Sequence, residues 1–418
     1  MIRPKNKWIV WGISIFNALL MLAFSLYWLN LPYTFGDEAF LIKWSSLLKK
    51  SLLQIDPKPN PEEVLFVDVS GNKAVIDGVD EFGDKSPYNR IVITDREQLS
   101  QFFSLLNRYR HEVRFVLCDV LFAESSPADS LLQVKVDSLG DKLLGVSHLN
   151  KSGKHTRPVI RMPYAVSTYN ATQGLFLKYP LMLSDSLKTL PLVMYEKLNG
   201  ARFEYQKGWL FYQINGRRSL HAPIIDFKLR QSDFKVGQTM GEANFAVWPM
   251  GTILESQEFM DEESMRAFFK GKLVVIGDFV NDMHRTPFEK LPGLVLLYNA
   301  YLTLVSGENA LSSWWLAFLF AGYLLLSYRI FFDLQVIKPA WLVKVSRSKF
   351  WQAVVNTADE LTILTVITFL SYFIFHRHIN ILILLIYLKI VEYLWKKTPV
   401  YLQGKMPQMF KRKHRVTS

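Results

Sequence analysis

Apolar and polar positions follow two regimes along the chain. Near the start, "WIVWGISIFNALLMLAFSLYWLNL" is an unbroken apolar run, long enough to cross a bilayer, which takes about 20 residues. Three further apolar runs, at 314–332, 361–375 and 381–395, stand towards the other end. Between them, over 31–310, short apolar runs alternate with segments of helical spacing. "VLFVDV" predicts a strand ending at Asp68, "REQLSQFFSLLNRYR" a helix, "VRFVLCDVLF" a buried strand and "ADSLLQVKVDSLG" a helix. "DKLLGVSH" is a further strand, and "DSLKTLPLVMYEKLNG" a helix that stops at Gly200. "GWLFYQINGRR" enters a hairpin that turns at Asn215-Gly216. "KLVVIGDFVNDMHRTPFEKLPGLVLLYNAYLTLVSG" reads as a strand to Ile276, a polar loop, and a helix from Gly293 to Val305.

Near-continuous apolar strands interleaved with helices predict an α/β fold, a mainly parallel sheet covered by helices on both faces. Four transmembrane helices are expected in addition. No internal repeat or low-complexity segment interrupts the middle region. The chain thus divides into an N-terminal tip and anchor helix (1–30), an extracytoplasmic domain (31–310), three membrane helices with a basic loop (311–397), and a short basic tail (398–418). The first run follows "MIRPKNK" and ends with Tyr27 and Trp28 where a cleavage site would need small residues, so it is read as an uncleaved signal anchor. Trp8, Trp11, Tyr27, Trp28, Trp314, Trp315, Tyr393 and Trp395 lie near span ends, where amphipathic rings prefer the headgroup level. Runs three and four are joined only by "HRHIN", a polar hairpin tip.

Charge changes the picture by its distribution. The formal net charge of +12 would suit a nucleic-acid binder. Over 31–310, however, 32 basic residues meet 33 acidic ones, while 1–30 carries +3 and 311–418 carries +10. The excess flanks the apolar runs, as cytoplasmic loops require, and no nucleic-acid partner is called for. With four crossings, Arg3, Lys5 and Lys7, the loop after the second span and the tail all fall on the cytoplasmic side. The middle region is then outside, on a multi-pass protein of a bacterial inner membrane with its main domain in the periplasm. Lys389 and Glu392, near the inner end of the last run, are expected to form an ion pair or to snorkel. Cys118 is the single cysteine, so the fold rests on packing and not on a disulfide.

Candidate chemistry gathers at predicted strand ends. Asp68, Asp119 and Asp278 each close an apolar strand, and ligands of open α/β sheets bind at that edge. With Asp282 and His284 they suit a ligand, a divalent cation or acid–base work. The same residues equally suit helix caps and loop hydrogen bonds. Thr286-Pro287 and Pro292-Gly293 shape the chain. Gly277 and Gly293 stand at handovers between strand, loop and helix, where glycine's backbone freedom is expected to be needed.

These pieces resemble the extracellular sensory domain associated with cyclases and histidine kinases, the CHASE domain of the second type. "VLFVDV" resembles that family's first strand, and "SPYNR" its turn with Pro87 and Arg90 kept and Ser86 in place of a tryptophan. "VRFVLCDVLFAESSPADSLL" carries its Asp119, Phe122 and Asp129. The closing segment matches best, with Gly271, Lys272, Gly277, Asp278, Asp282, His284, Thr286, Pro287, Pro292, Gly293, Asn299 and Gly307 in place. The resemblance implies a sensory domain that binds a ligand or a protein. The family usually continues into a cytoplasmic kinase or cyclase, whereas a short basic tail stands here, so a partner is expected to carry any output. The ligand candidates are Asp68, Arg90, Asp119, Asp278, Asp282 and His284; no cofactor, resident metal or catalytic residue is expected. Expected partners are membrane lipid, a membrane or envelope protein, a second copy of the chain and a small ligand. Two other classes stay open, a structural subunit of an envelope complex and a metal-dependent hydrolase using the aspartates and His284.

Overall fold

A computed structural model describes residues 7–33, 36–53, 57–79, 85–149, 153, 158–168, 175–200, 204–208, 210–236, 245–332 and 349–397. The expectations for Arg3 and Lys5, for the basic loop 333–348 and for the tail 398–418 lie outside the described residues.

The chain opens with helices α1 (Lys7–Leu29) and α2 (Gly36–Leu53). Strands β1 (Val64–Asp68), β2 (Lys73–Val79) and β3 (Lys85–Thr94) lead to α3 (Arg96–Arg108), β4 (Phe115–Cys118), α4 (Asp129–Leu139) and β5 (Leu143–Ser147). Then come β6 (Tyr164–Val166), β7 (Met182–Ser184), β8 (Leu187–Lys188) and α5 (Leu190–Asn199). A meander follows, β9 (Tyr205–Lys207), β10 (Tyr212–Ile214) and β11 (Arg217–Ser219). Next are β12 (Phe234–Val236), β13 (Phe245–Pro249), α6 (Met250–Ser256), α7 (Glu262–Phe269), β14 (Leu273–Gly277), β15 (Met283–Arg285) and β16 (Lys290–Pro292). The described chain closes with α8 (Gly293–Val305), α9 (Ser313–Phe331), α10 (Lys349–Phe375) and α11 (Ile381–Lys397). Two compact units result, one of residues 55–204 and 221–309, the other of 1–54, 205–220 and 310–418.

The first unit is built on a seven-stranded sheet in the order β12-β13-β1-β14-β4-β5-β6. Every pairing in it is parallel, and parallel strands need crossovers that place helices on the faces. Alternate residues of one strand serve opposite cores. Leu65, Val67, Val116, Cys118, Val274 and Ile276 face a core completed by α3, α4, α6 and α7. Phe66 points the other way, edge-on to Phe234, Phe245, Phe279 and Tyr298 of α8, with ring centroids 5.2–6.2 Å apart. The helix starts are written locally: Asp95 accepts from the N–H groups of Glu97 and Gln98 ahead of α3, and Asp261 accepts from Ser264 N ahead of α7. Gly200 ends α5 at φ 65°, the left-handed cap for which glycine is favoured.

Two local expectations differ. The "SPYNR" segment is not a turn but the first half of β3, paired with β2 across a register shift at Asp77/Gly78. The loop between β14 and α8 contains the hairpin β15–β16, in which His284 pairs with Leu291. Strands of three residues are too short to show a period in sequence.

In the second unit, three helices among the described residues are long and apolar enough to cross a membrane: Lys7–Leu29, Ser313–Phe331 and Thr357–Phe375. The expected fourth, α11, has 17 residues, about 25 Å of helix against about 30 Å of hydrocarbon, and it spends four of them on Lys389, Glu392, Lys396 and Lys397. Polar contacts tie the helices together: Asn17 Nδ2 donates to Ser327 Oγ at 2.8 Å, Ser25 bonds Tyr323 at 2.8 Å, and Trp315 Nε1 donates to Ser371 Oγ at 2.8 Å. Lys389 pairs with Glu392 at 3.0 Å as expected, and also with Glu360 at 2.9 Å, while Arg329 pairs with Asp359. The segment joining α10 to α11 is not a solvated tip. Arg377, His378, Ile379 and Asn380 are buried, Arg377 donates to the carbonyl of Ala310, and His378 stacks on Tyr372 at 4.4 Å. In the meander, Asn215 (φ 51°) and Gly216 (φ 70°) form the expected tight turn.

Candidate functional site

The carboxyl ends of β14, β4, β5 and β6, four neighbours in the sheet, open into one cavity of about 190 Å³. Asp119 enters it directly after β4, His148 and Leu149 after β5, and Ser167 and Thr168 after β6. Asp282 and His284 come from the segment after β14, Gly293 and Leu297 from the start of α8, and Phe176 closes the lining. This is the edge at which side chains from separate loops converge because all the strands run the same way.

His284 Nε2 lies 2.8 Å from Asp282 Oδ1. The pair sits on the start of α8, where Gly293 N donates to Asp282 O at 2.8 Å. A Cβ at position 293 would lie 2.1 Å from Asp282 Oδ2 and 3.1 Å from His284 Nε2. A Cβ at 277 would lie 2.5 Å from Leu294 Cδ2 and 3.4 Å from Asp119 Cβ. Neither glycine has a positive φ, so what they supply is room for the Leu294 and Asp282 side chains and not the backbone freedom expected of them.

Asp119 anchors its backbone to the sheet by donating to Ile276 O at 2.7 Å, while its carboxylate has no hydrogen-bond partner among the described residues. Burial pushes its pKa up to about 7, with Asp282 adding to the rise and His284 opposing it. Burial lowers the pKa of His148, against the pull of Asp282 and with the push of His284. Ser167 is 5% exposed, and its buried hydroxyl has no hydrogen-bond partner among the described residues. A buried hydroxyl without a partner costs on the order of 1–3 kcal/mol. Thr168 differs: its Oγ1 accepts from Leu149 N at 2.7 Å and holds the wall together.

The other expected ligand residues do not line this cavity. Asp68 Oδ1 accepts from Ser70 N at 2.9 Å and Phe279 N at 3.1 Å, and Oδ2 accepts from Ser70 Oγ at 2.7 Å, stitching β1 to the segment after β14. Asp278 accepts from Val280 N at 3.0 Å, Asn281 N at 2.7 Å and Lys73 Nζ at 2.8 Å. Burial opposes its ionisation, but these bonds and those from the Asn281 side chain outweigh burial and bring its pKa to about 2. Arg90 is exposed on β3 opposite Asp77. Thr286 closes the β15–β16 turn through Oγ1, which donates to Glu289 O and accepts from Phe288 N and Glu289 N, with Pro287 between them. Pro292 ends β16 against Met283, and Asn299, wholly buried on α8, pairs twice with the Leu229 backbone at 2.9 Å. Asp129 reaches the buried Arg96 at 3.7 Å, whose guanidinium lies 4.3 Å from the Phe122 ring. His148, Ser167, Thr168 and Phe176 were missed, and a signal existed only for His148, at the end of the strand "DKLLGVSH". Among the described residues no three His, Cys, Asp or Glu side chains form a group that could hold a metal ion.

Residues 17–328 match the family model of the CHASE2 domain. The chain belongs to the CHASE2 family. Comparison with curated proteins and with solved structures gave no match. CHASE2 domains are extracellular sensory domains, and the cavity therefore lies in a domain of a sensory class. The matched stretch takes in the second half of α1, the whole parallel sheet and most of α9, so the CHASE2 match reaches into two of the apolar helices.

Proposed function

We propose that the protein is a membrane-anchored receptor whose CHASE2 domain binds a small ligand in the cavity at the carboxyl edge of its sheet and passes the bound state to partner proteins. The observation that carries this reading is the pairing of Asp119 and Ser167, a half-buried carboxylate and a buried hydroxyl, neither hydrogen-bonded among the described residues, in one cavity of a sensory domain. Interiors seldom leave such groups unmatched without a use for them. Arg3 and Lys5 ahead of α1 and Lys7 at its first position favour a cytoplasmic N-terminus, and this supports the reading of the CHASE2 domain as lying on the outer side of a bacterial inner membrane. Output through a separate membrane or envelope protein belongs to the same proposal.

The test is a thermal-unfolding screen of small compounds against the full chain in detergent, run in parallel on Leu149→Trp, which fills the cavity from its half-buried wall. Compounds that raise the Tm of the wild type and not of Leu149→Trp are the expected result. Compounds that stabilise both proteins equally would move the ligand site elsewhere.

A further inference from the structure

We propose that the cavity accepts a small organic cation, an amine whose ammonium group rests on Asp119 and whose second polar group meets Ser167. The proposal rests on the reading of the cavity as the sensory site and narrows its ligand.

Charge is the first argument. Among the described residues Asp119 and Asp282 line the cavity, and no lysine or arginine does. His284 is engaged by Asp282 at 2.8 Å, which leaves the Asp119 carboxylate as the negative group without a partner among the described residues. A half-buried carboxylate in a cavity wall, with no donor among the described residues, is stabilised by an ionised donor that enters the cavity. The start of α8 is closed to an anion, because the Asp282 carboxylate packs on Gly293 and the Gly293 N–H is bound to Asp282 O. An anion would meet that carboxylate and Asp119 together.

Shape and the remaining polar group narrow the class. The volume of about 190 Å³ corresponds to roughly six water-sized groups at about 30 Å³ each, smaller than sites for drug-sized ligands. Phe176, Leu149 and Leu297 supply apolar wall, which suits a short carbon chain. The Ser167 hydroxyl both donates and accepts, so it can satisfy a hydroxyl or amide at the far end of such a chain.

Ethanolamine is the probe that fits this description, and acetate, acetamide, Mg²⁺ and Ca²⁺ are its controls. Thermal unfolding of the full chain in detergent is expected to show saturable stabilisation by ethanolamine alone. Affinity should fall roughly tenfold to a hundredfold in Asp119→Asn, the loss of a charged hydrogen bond, and less in Ser167→Ala. Should Asp119→Asn not fold, Asp119→Glu and Leu149→Trp carry the comparison, the first retaining part of the binding and the second abolishing it. Equal stabilisation of wild type and Asp119→Asn overturns the proposal. Stabilisation by acetate, acetamide or a divalent ion without ethanolamine overturns the cation and leaves the cavity as a ligand site. Failure of every probe also overturns the cation, and the compound screen against Leu149→Trp then decides the cavity separately.

Discussion

Asp119 is the residue on which the site turns, and its ionisation has a measurable consequence. Its folded pKa of about 7 is raised above the unfolded value of about 3.8, so between those values the folded state binds more protons than the unfolded one. Stability therefore falls as pH rises through that window. The neutral amide of Asp119→Asn removes the dependence, so the variant should gain on the wild type by on the order of 2 kcal/mol between pH 5 and pH 8. Urea unfolding at the two pH values measures it, and a pH-independent difference between the proteins would show that Asp119 ionises freely. Asp278 and Asp68 look the same as Asp119 in sequence, each an aspartate ending an apolar strand. What separates them is which N–H groups surround them among the described residues: several for Asp68 and Asp278, none for the carboxylate of Asp119. That difference depends on the path of neighbouring loops and cannot be read from spacing.

At the scale of elements, the segment after β14 does two jobs with different residues. Asp278 organises its first turn, while Asp282 and His284, a few residues on, face the cavity. Asp278→Ala should cost about 1 kcal/mol above pH 4 once solvent screening is allowed for, and the cost should vanish as pH falls towards about 2, where the wild-type carboxylate protonates. Ligand stabilisation should be unchanged, because Asp278 does not line the cavity. Loss of ligand stabilisation in this variant, measured by thermal shift, would mean that the turn and the cavity are one device. The long elements were legible because their periods are long: β1, α3, α4, β5, β14 and α8 lie where the pattern puts them. The short ones were not. β6, which delivers Ser167, has three residues and no period to detect. The α10–α11 turn was misread because "HRHIN" is polar, yet Arg377 and His378 find partners in Ala310, Trp315 and Tyr372 that are far off in sequence or reached only when the helices pack. The fourth membrane helix fell short because α11 has 17 residues, four of them charged, and Lys389 among these pairs with Glu360.

For the whole molecule, the question is how occupancy of the cavity reaches the apolar helices. Gly293 and Leu297 of α8 line the cavity, so a ligand bears directly on that helix. The chain leaves α8 through Gly307 at φ 69° and reaches α9 at Ser313, a connection too short for much slack. It is also pinned: Ala310 bridges Ser219, Leu311 N donates to Arg218 O at 2.7 Å, and Ser312 Oγ accepts from Trp314 N at 3.2 Å. A connection of this kind transmits a change of state only if both ends bias the same element, and α8 with its exit is the element proposed. Inserting a flexible Gly-Ser segment after Glu308 adds slack without touching the cavity. The variant should keep its Tm and its stabilisation by ethanolamine, and it should lose any ligand-induced change in hydrogen exchange over α9. Should the response of α9 to ligand survive the insertion at full size, the covalent exit from α8 carries no signal, and the coupling has to run by another route.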